Sequence, residues 1–189
     1  TFGSTKKVWW KCEKGHNYLN TVSKMTYRGD GCPYCSNRRV LAGYNDLKTV
    51  RPDLEKEWNY EKNIEVEPTE VREFSNLDVW WKCKLGHEYG AKICDRSHGN
   101  GCPICSNHHV LAGYNDIATA HPQLLTEWDY EKNEIKPTEI TYGSTRKVWW
   151  KCDKGHNWQG TVNGRSYNNS GCPICSNQML LEGYNDFAT

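Results

Sequence analysis

The sequence is poor in what a large core requires. Of its 189 residues, 37% are hydrophobic, and that share includes 11 Tyr and 9 Trp. Met numbers 2 and Phe 3, so a single large aliphatic core is excluded. No apolar run approaches the roughly 18–20 residues of a membrane helix, which excludes a helical membrane protein. The chain does not open on a signal-like segment. Neither sign of charge is in excess: 24 Lys and Arg stand against 23 Asp and Glu, a formal net charge of +1. Net charge therefore gives no global pointer to a polyanion. That charge density, with so many aromatics, also excludes a disordered tail. What is abundant is 10 Cys, with 7 His.

The cysteines sit in a repeat. Val8-Trp9-Trp10-Lys11-Cys12 recurs from Val79 to Cys83 and from Val148 to Cys152. Each copy continues with Gly-His at Gly15-His16, Gly86-His87 and Gly155-His156. Each then reaches Gly-Cys-Pro-x-Cys-Ser-Asn, ending at Asn37, Asn107 and Asn177, and closes with Gly-Tyr-Asn-Asp at Asp46, Asp116 and Asp186. A further segment follows the first two copies, Pro52-Asp53-Leu54 to Trp58 and Pro122-Gln123-Leu124 to Trp128. The expected organisation is the end of a linker (1–7), finger one (8–46), a short helix and connector (47–78), finger two (79–116), a second short helix and connector (117–147), and finger three (148–189). Both ends fall inside a repeat unit, so a longer array is expected.

Parity decides the cysteine chemistry. Each repeat holds three Cys in register and one His, and three thiols cannot pair off as disulfides. Three thiolates and one imidazole do complete a tetrahedral zinc shell. The expected ligands are Cys12, His16, Cys32 and Cys35; Cys83, His87, Cys102 and Cys105; and Cys152, His156, Cys172 and Cys175. Four protein ligands leave no open position, so the three ions are expected to be structural rather than catalytic. A finger of about 30 residues buries too little surface to fold alone. Zinc then supplies folding energy on the order of 10–16 kcal/mol. Reduced thiolates imply an intracellular, reducing compartment. Cys94 is outside the register and reads as an incidental thiol.

The local pattern gives a small α+β unit. Val8–Cys12 is β-prone and enters a metal knuckle, and a second β-prone stretch leaves through His16 toward Val22, making a hairpin. Pro33 and Gly43 bracket a predicted short helix, with Cys32 and Cys35 in its first turn. Pro52 and Pro122 each start another, with Leu54 and Trp58, or Leu124 and Trp128, on one face. That order is a treble clef, and a two-knuckle zinc ribbon is the alternative. Side chains alternate along a strand, so one Trp of each Trp-Trp pair must point outward, where it is available to a neighbouring unit.

Val-Trp-Trp-Lys-Cys-x-x-Gly-His, Gly-Cys-Pro-x-Cys, Gly-Tyr-Asn-Asp and Pro-x-Leu-x-x-Glu-Trp together resemble the tandem "probable zinc-ribbon" domains of treble-clef type, found mostly in bacteria and viruses. The resemblance covers nearly the whole chain. Some of those domains are joined to restriction-endonuclease-like domains. The resemblance therefore implies work on nucleic acid, and a nuclease domain elsewhere in the full-length protein as a partner.

Charge is segregated along the chain. Residues 8–40 carry six basic and two acidic side chains, 79–110 four and two, and 148–178 three and one. The connectors reverse this, with five basic and ten acidic in 41–78 and four and six in 111–147. Zinc with three thiolates takes one positive unit off each finger. Within a constant frame, Cys-Ser-Asn-x-x, one pair varies: Arg38-Arg39, His108-His109 and Gln178-Met179. Arg bridges guanine O6 and N7, and Gln pairs with adenine.

The leading expectation is a tandem module binding nucleic acid, with duplex DNA first. Bases are read by Arg38, Arg39, His108, His109 and Gln178, and phosphates are met by Lys11, Lys82, Lys151, Arg96 and Arg165. The alternatives are a protein-interaction or spacer array positioning a nuclease, and a single-stranded DNA or RNA binder stacking bases on outward aromatics. An enzyme in its own right is not expected, because the carboxylates lie mainly in connectors.

Overall fold

The computed structural model describes residues 1–186. Phe187, the apolar residue after the third Gly-Tyr-Asn-Asp, and the last two residues of finger three lie outside the described residues. Two compact units appear, Thr1–Asn100 and Gly101 onward.

The first unit holds two antiparallel hairpins, β1 (Lys7–Lys11) with β2 (Asn17–Thr21) and β3 (Asp78–Lys82) with β4 (Glu88–Lys92). The register pairs Trp10 with Tyr18 and Trp81 with Tyr89. Short helices follow the hairpins, α1 (Val22–Tyr27) and α4 (Ile93–Ser97). Between them lie α2 (Leu47–Val50) and α3 (Pro52–Glu55). The second unit holds one such hairpin after a connector of the same kind. It has α5 (Ile117–Ala120), 3-10 turns at Pro122–Glu127 and Pro137–Glu139, the hairpin β5 (Lys147–Lys151) with β6 (Asn157–Thr161), and α6 (Val162–Ser166). None of these helices is long and apolar enough to cross a membrane.

The Trp-Trp pairs divide as strand alternation requires. Trp81 and Trp150 are fully buried, while Trp80 remains 41% exposed. The inward indoles of Trp10, Trp81 and Trp150 each donate to the carbonyl ten residues on, at Asn20, Ala91 and Gly160, stapling the hairpin across its width.

The segment before a hairpin completes its core. Trp58 meets Trp81 edge-on, with ring centroids 5.4 Å apart. Leu54 is buried with it, four residues back on the same face. In the second unit Leu124, Trp128, Ile117 and Ile140 close over Trp150, Val148 and Val162. The same segment clamps the strand edge. Asn63 accepts from the Trp80 amide at 2.8 Å and donates to its carbonyl at 2.8 Å, and Asn133 does the same to Trp149 at 2.9 and 2.8 Å. The outward Trp80 and Trp149 are then covered by Lys62 and Lys132, whose ammonium groups sit 4.2 and 4.7 Å from the ring centroids.

The expected helix at Cys32-Pro33 is absent. Residues 33–39 form a turn in which the amides of Arg38 and Arg39 both donate to the Pro33 carbonyl. Asn37 stops any helix there by adopting φ 54°, and Asn107 and Asn177 do likewise at 59° and 56°. The helix of each finger lies elsewhere, directly after the hairpin. Thr21 caps α1 by accepting from the Lys24 amide, and Thr161 caps α6 by accepting from the Gly164 amide.

Candidate metal centres and recognition surface

The first ligand pair sits on a knuckle. The Cys12 amide donates to the His16 carbonyl at 3.1 Å and the Gly15 amide to the Cys12 carbonyl at 2.9 Å. Gly15 takes φ 83°, as Gly86 and Gly155 do at 83° and 82°, so the turn requires glycine. This is why Gly precedes each ligand His. The knuckle is tight, and His16 offers Nδ1, the ring nitrogen nearer the backbone. The second pair comes from the turn at Cys32–Cys35, whose Ser36 hydroxyl donates to the Cys32 carbonyl at 2.9 Å.

All three tetrads assemble, and in each the four ligand atoms lie within 4.8 Å of one another. A tetrahedral ion with sulfur at about 2.3 Å and nitrogen at about 2.0–2.1 Å sets edges of about 3.8 Å between sulfurs and about 3.5 Å between sulfur and nitrogen. In the first tetrad Cys12 Sγ and Cys35 Sγ are 3.8 Å apart, and Cys12, Cys32 and Cys35 lie 3.5, 3.7 and 3.3 Å from His16 Nδ1. In the third, the Cys152–Cys175 edge is 3.9 Å, and the edges from His156 Nδ1 to Cys175 and Cys172 are 3.2 and 3.7 Å. Cys83 and His87 in the second are 3.6 Å apart. These spacings fit zinc, and the twelve residues are those expected from the register. The three tetrads offer sites for three zinc ions, one per repeat. The ion, when bound, supplies the charge that lets three thiolates sit together. Without it, burial and then hydrogen bonding and charge from Cys172 and Cys152 push the Cys175 thiol up to about 11.

The Gly-Tyr-Asn-Asp motif braces the site, a role sequence spacing alone did not expose. Asn45 donates to the carbonyls of Tyr34 and Arg39 at 3.0 and 2.9 Å and accepts from the Leu41 amide at 2.7 Å, tying the ligand turn to the next element. Asn115 repeats those bonds from a buried position. Asp46 accepts from the Thr49 amide at the start of α2 and from the Gly43 amide. Burial pushes its carboxyl up, but the Thr49 hydroxyl and both amides outweigh this and hold it below the ordinary value. Tyr44 packs edge-on against His16 at 4.1 Å, and its hydroxyl points to Cys35 Sγ at 3.9 Å. Tyr184 shields His156 in the same way at 4.2 Å.

Lys14 donates to the Tyr44 hydroxyl at 3.2 Å, and Lys154 to that of Tyr184 at 3.3 Å. The Tyr44 hydrogen bond first, and then the charges of Tyr44 and Cys35, hold Lys14 above its ordinary value. Lys11, Lys82 and Lys151 are exposed on the strands, with Lys82 3.6 Å from the Glu88 carboxylate.

Two expected phosphate contacts must be withdrawn. Arg96 and Arg165 are 6% and 5% exposed. Arg96 pairs with Glu57 and donates to the Asn100 carbonyl, and its guanidinium lies over Trp81 and Tyr89. Arg165 pairs with Glu127, donates to the Ser170 carbonyl, and lies over Trp150 and Trp158. Both are core residues whose charge is met internally. The variable pairs are exposed in all three repeats, on a turn rather than a helix. Arg38 is steered by the Ser36 hydroxyl and the Gly31 carbonyl, and His108 Nδ1 lies 2.8 Å from the Ser106 hydroxyl. Cys94, outside every tetrad, has its thiol 3.4 Å from Asn76 Oδ1.

A family model described as a probable treble clef zinc finger domain matches residues 1–38, 54–108 and 124–178. The second and third matches begin at Leu54 and Leu124, the residues that pack onto the hairpin that follows them. No curated protein matches the chain.

Proposed function

Because the chain belongs to the family of probable treble clef zinc finger domains, we propose that it is a zinc-stabilised tandem module for nucleic acid, with duplex DNA as its first target. The observation that carries this reading is the contrast inside one chain. An invariant clamp of zinc, Ser and Asn holds a turn whose two exposed side chains differ from repeat to repeat. Arg38 and Arg39, His108 and His109, and Gln178 are base-reading chemistry at equivalent places. Of the five residues expected to meet phosphate, Lys11, Lys82 and Lys151 are exposed. Four protein ligands close each metal shell, which supports a structural rather than a catalytic role for the ion. Stacking on outward tryptophans is less favoured at Trp80 and Trp149, which lie under lysines, whereas Trp9 is 73% exposed.

The test is fluorescence titration of the zinc-loaded chain with random and selected duplexes at several salt concentrations. Log affinity is expected to fall against log salt with a slope of about −0.9 per phosphate neutralised. Replacing Arg38 and Arg39 by Ala is expected to relax selection at one sub-site, by about 1–3 kcal/mol for each base-reading side chain removed. Binding indifferent to salt, or unchanged by these substitutions, contradicts the reading.

A further inference from the structure

The differences between the first and third fingers are not spread evenly. From Thr1 to Asn17 the first copy departs from Thr141 to Asn157 only within a residue kind: Phe2 for Tyr142, Lys6 for Arg146 and Glu13 for Asp153. Beyond that stretch the chemistry itself changes. Leu19, Asn20, Lys24, Asp30 and Arg38 stand where the third finger has Gln159, Gly160, Gly164, Ser170 and Gln178.

Scattered in sequence, these positions converge in space. In finger one all of them line a single hollow of about 160 Å³. In finger three their counterparts line a hollow of about 240 Å³. The frame around both is constant, with Gly31 and Pro33 in one and Gly171 and Pro173 in the other. The amides of Arg38 and Gln178 each donate to the Pro33 or Pro173 carbonyl at 2.8 Å, which brings the first member of each variable pair to the hollow. The hollow of finger three is present with the Trp128 connector seated on its hairpin, so it is a property of the finger itself. Exposure alone does not select these positions. Lys7, Lys11 and Lys14 are exposed too, yet they return as the exposed Lys147, Lys151 and Lys154.

We propose that this hollow is where each finger selects its base, so that Leu19 and Lys24, and Gln159 with Ser170, determine specificity together with Arg38 and Gln178. The proposal deepens the nucleic-acid reading and rests on it. In finger one Lys24 and Arg38 can only donate, and Asp30 holds the Arg38 guanidinium at 3.6 Å. Such a wall suits an edge made of acceptors, as guanine presents with O6 and N7. In finger three the carboxamides of Gln159 and Gln178 and the Ser170 hydroxyl both donate and accept. Arg165 also lines that hollow, but it is buried and its charge is met by Glu127. That wall suits the mixed edge of adenine, N6 and N7. The strand β2 or β6 thus contributes to recognition beside the turn.

The test is random-duplex selection with the zinc-loaded chain and with Leu19→Gln, Lys24→Ala and Gln159→Leu, each made singly. Leu19, Lys24 and Gln159 are exposed, so zinc content and circular dichroism are expected to stay unchanged. Lys24→Ala is expected to lower the guanine preference at least about fivefold, at the same sub-site that replacing Arg38 and Arg39 relaxes. Leu19→Gln is expected to shift that sub-site toward adenine, and Gln159→Leu to alter a different sub-site only. Lys6→Gln, at an exposed position outside the hollow, is expected to leave every base preference as it was. Salt-sensitive binding that still responds to Arg38 and Arg39, with base preferences indifferent to Leu19→Gln, Lys24→Ala and Gln159→Leu, overturns this proposal and spares the nucleic-acid reading. So does a shift from Lys6→Gln as large as theirs. Failure to bind any duplex overturns both.

Discussion

Trp128 meets Trp150 edge-on at a ring separation of 5.4 Å and 83°, although 22 positions separate them in sequence. That contact joins the connector to the finger after it. The connector is therefore part of a fold and not a spacer. Trp128→Ala is expected to destabilise the third finger by about 3–5 kcal/mol, the usual cost of emptying a buried aromatic site. Urea unfolding of the zinc-loaded protein checks this. A loss below about 1 kcal/mol would mean the connector is merely draped over the hairpin.

The buried Arg165–Glu127 pair is expected to behave as a coupled unit. Glu127→Leu alone strands a guanidinium in the core and is expected to cost about 3 kcal/mol. Arg165→Met with Glu127→Leu is expected to recover most of that loss, because it removes both buried charges together; Met25 stands at the same register position in the first repeat. A double-mutant cycle in urea measures the coupling. Additive losses would contradict the pairing.

Asp116 accepts from the amides of Thr119 and Gly113 at 2.9 and 2.6 Å. Burial raises its carboxyl, but the Thr119 hydroxyl and these amides hold it below its ordinary value. A depressed folded value means that its stabilisation is present above the unfolded pKa of about 3.9 and is lost as pH falls through the folded one. Asp116→Ala is thus expected to cost about 1 kcal/mol at neutral pH. A midpoint in urea that is unchanged at pH 7 would contradict this.

Acid unfolding is expected to begin well above the Asp116 transition. Protons compete with zinc for thiolate and imidazole, so the acid midpoint should move to lower pH as free zinc is raised. Circular dichroism across pH at two zinc concentrations tests this, and a midpoint blind to zinc would refute it.

The metal ligands were legible because parity and register are visible in a repeat: Cys12, His16, Cys32 and Cys35 return twice at matching places. The hairpins and the Pro52 and Pro122 helical turns were legible from alternation and proline placement. The helix after each hairpin was not, because six residues such as Val22–Tyr27 are too few to show a period. The helix expected at Pro33 fails at Asn37, whose left-handed backbone no spacing rule announced. Arg96 and Arg165 looked like surface cations because their partners Glu57 and Glu127 are 39 and 38 positions away. Burial of a charge depends on such distant partners, and composition cannot display them.

Counting zinc by native mass spectrometry of the intact chain tests the central claim most directly. Three Cys3His shells predict three ions bound to each folded polypeptide, and their removal by a chelator should collapse the hairpin signal in circular dichroism. Two ions or fewer on the folded chain, or a fold indifferent to the chelator, would contradict it.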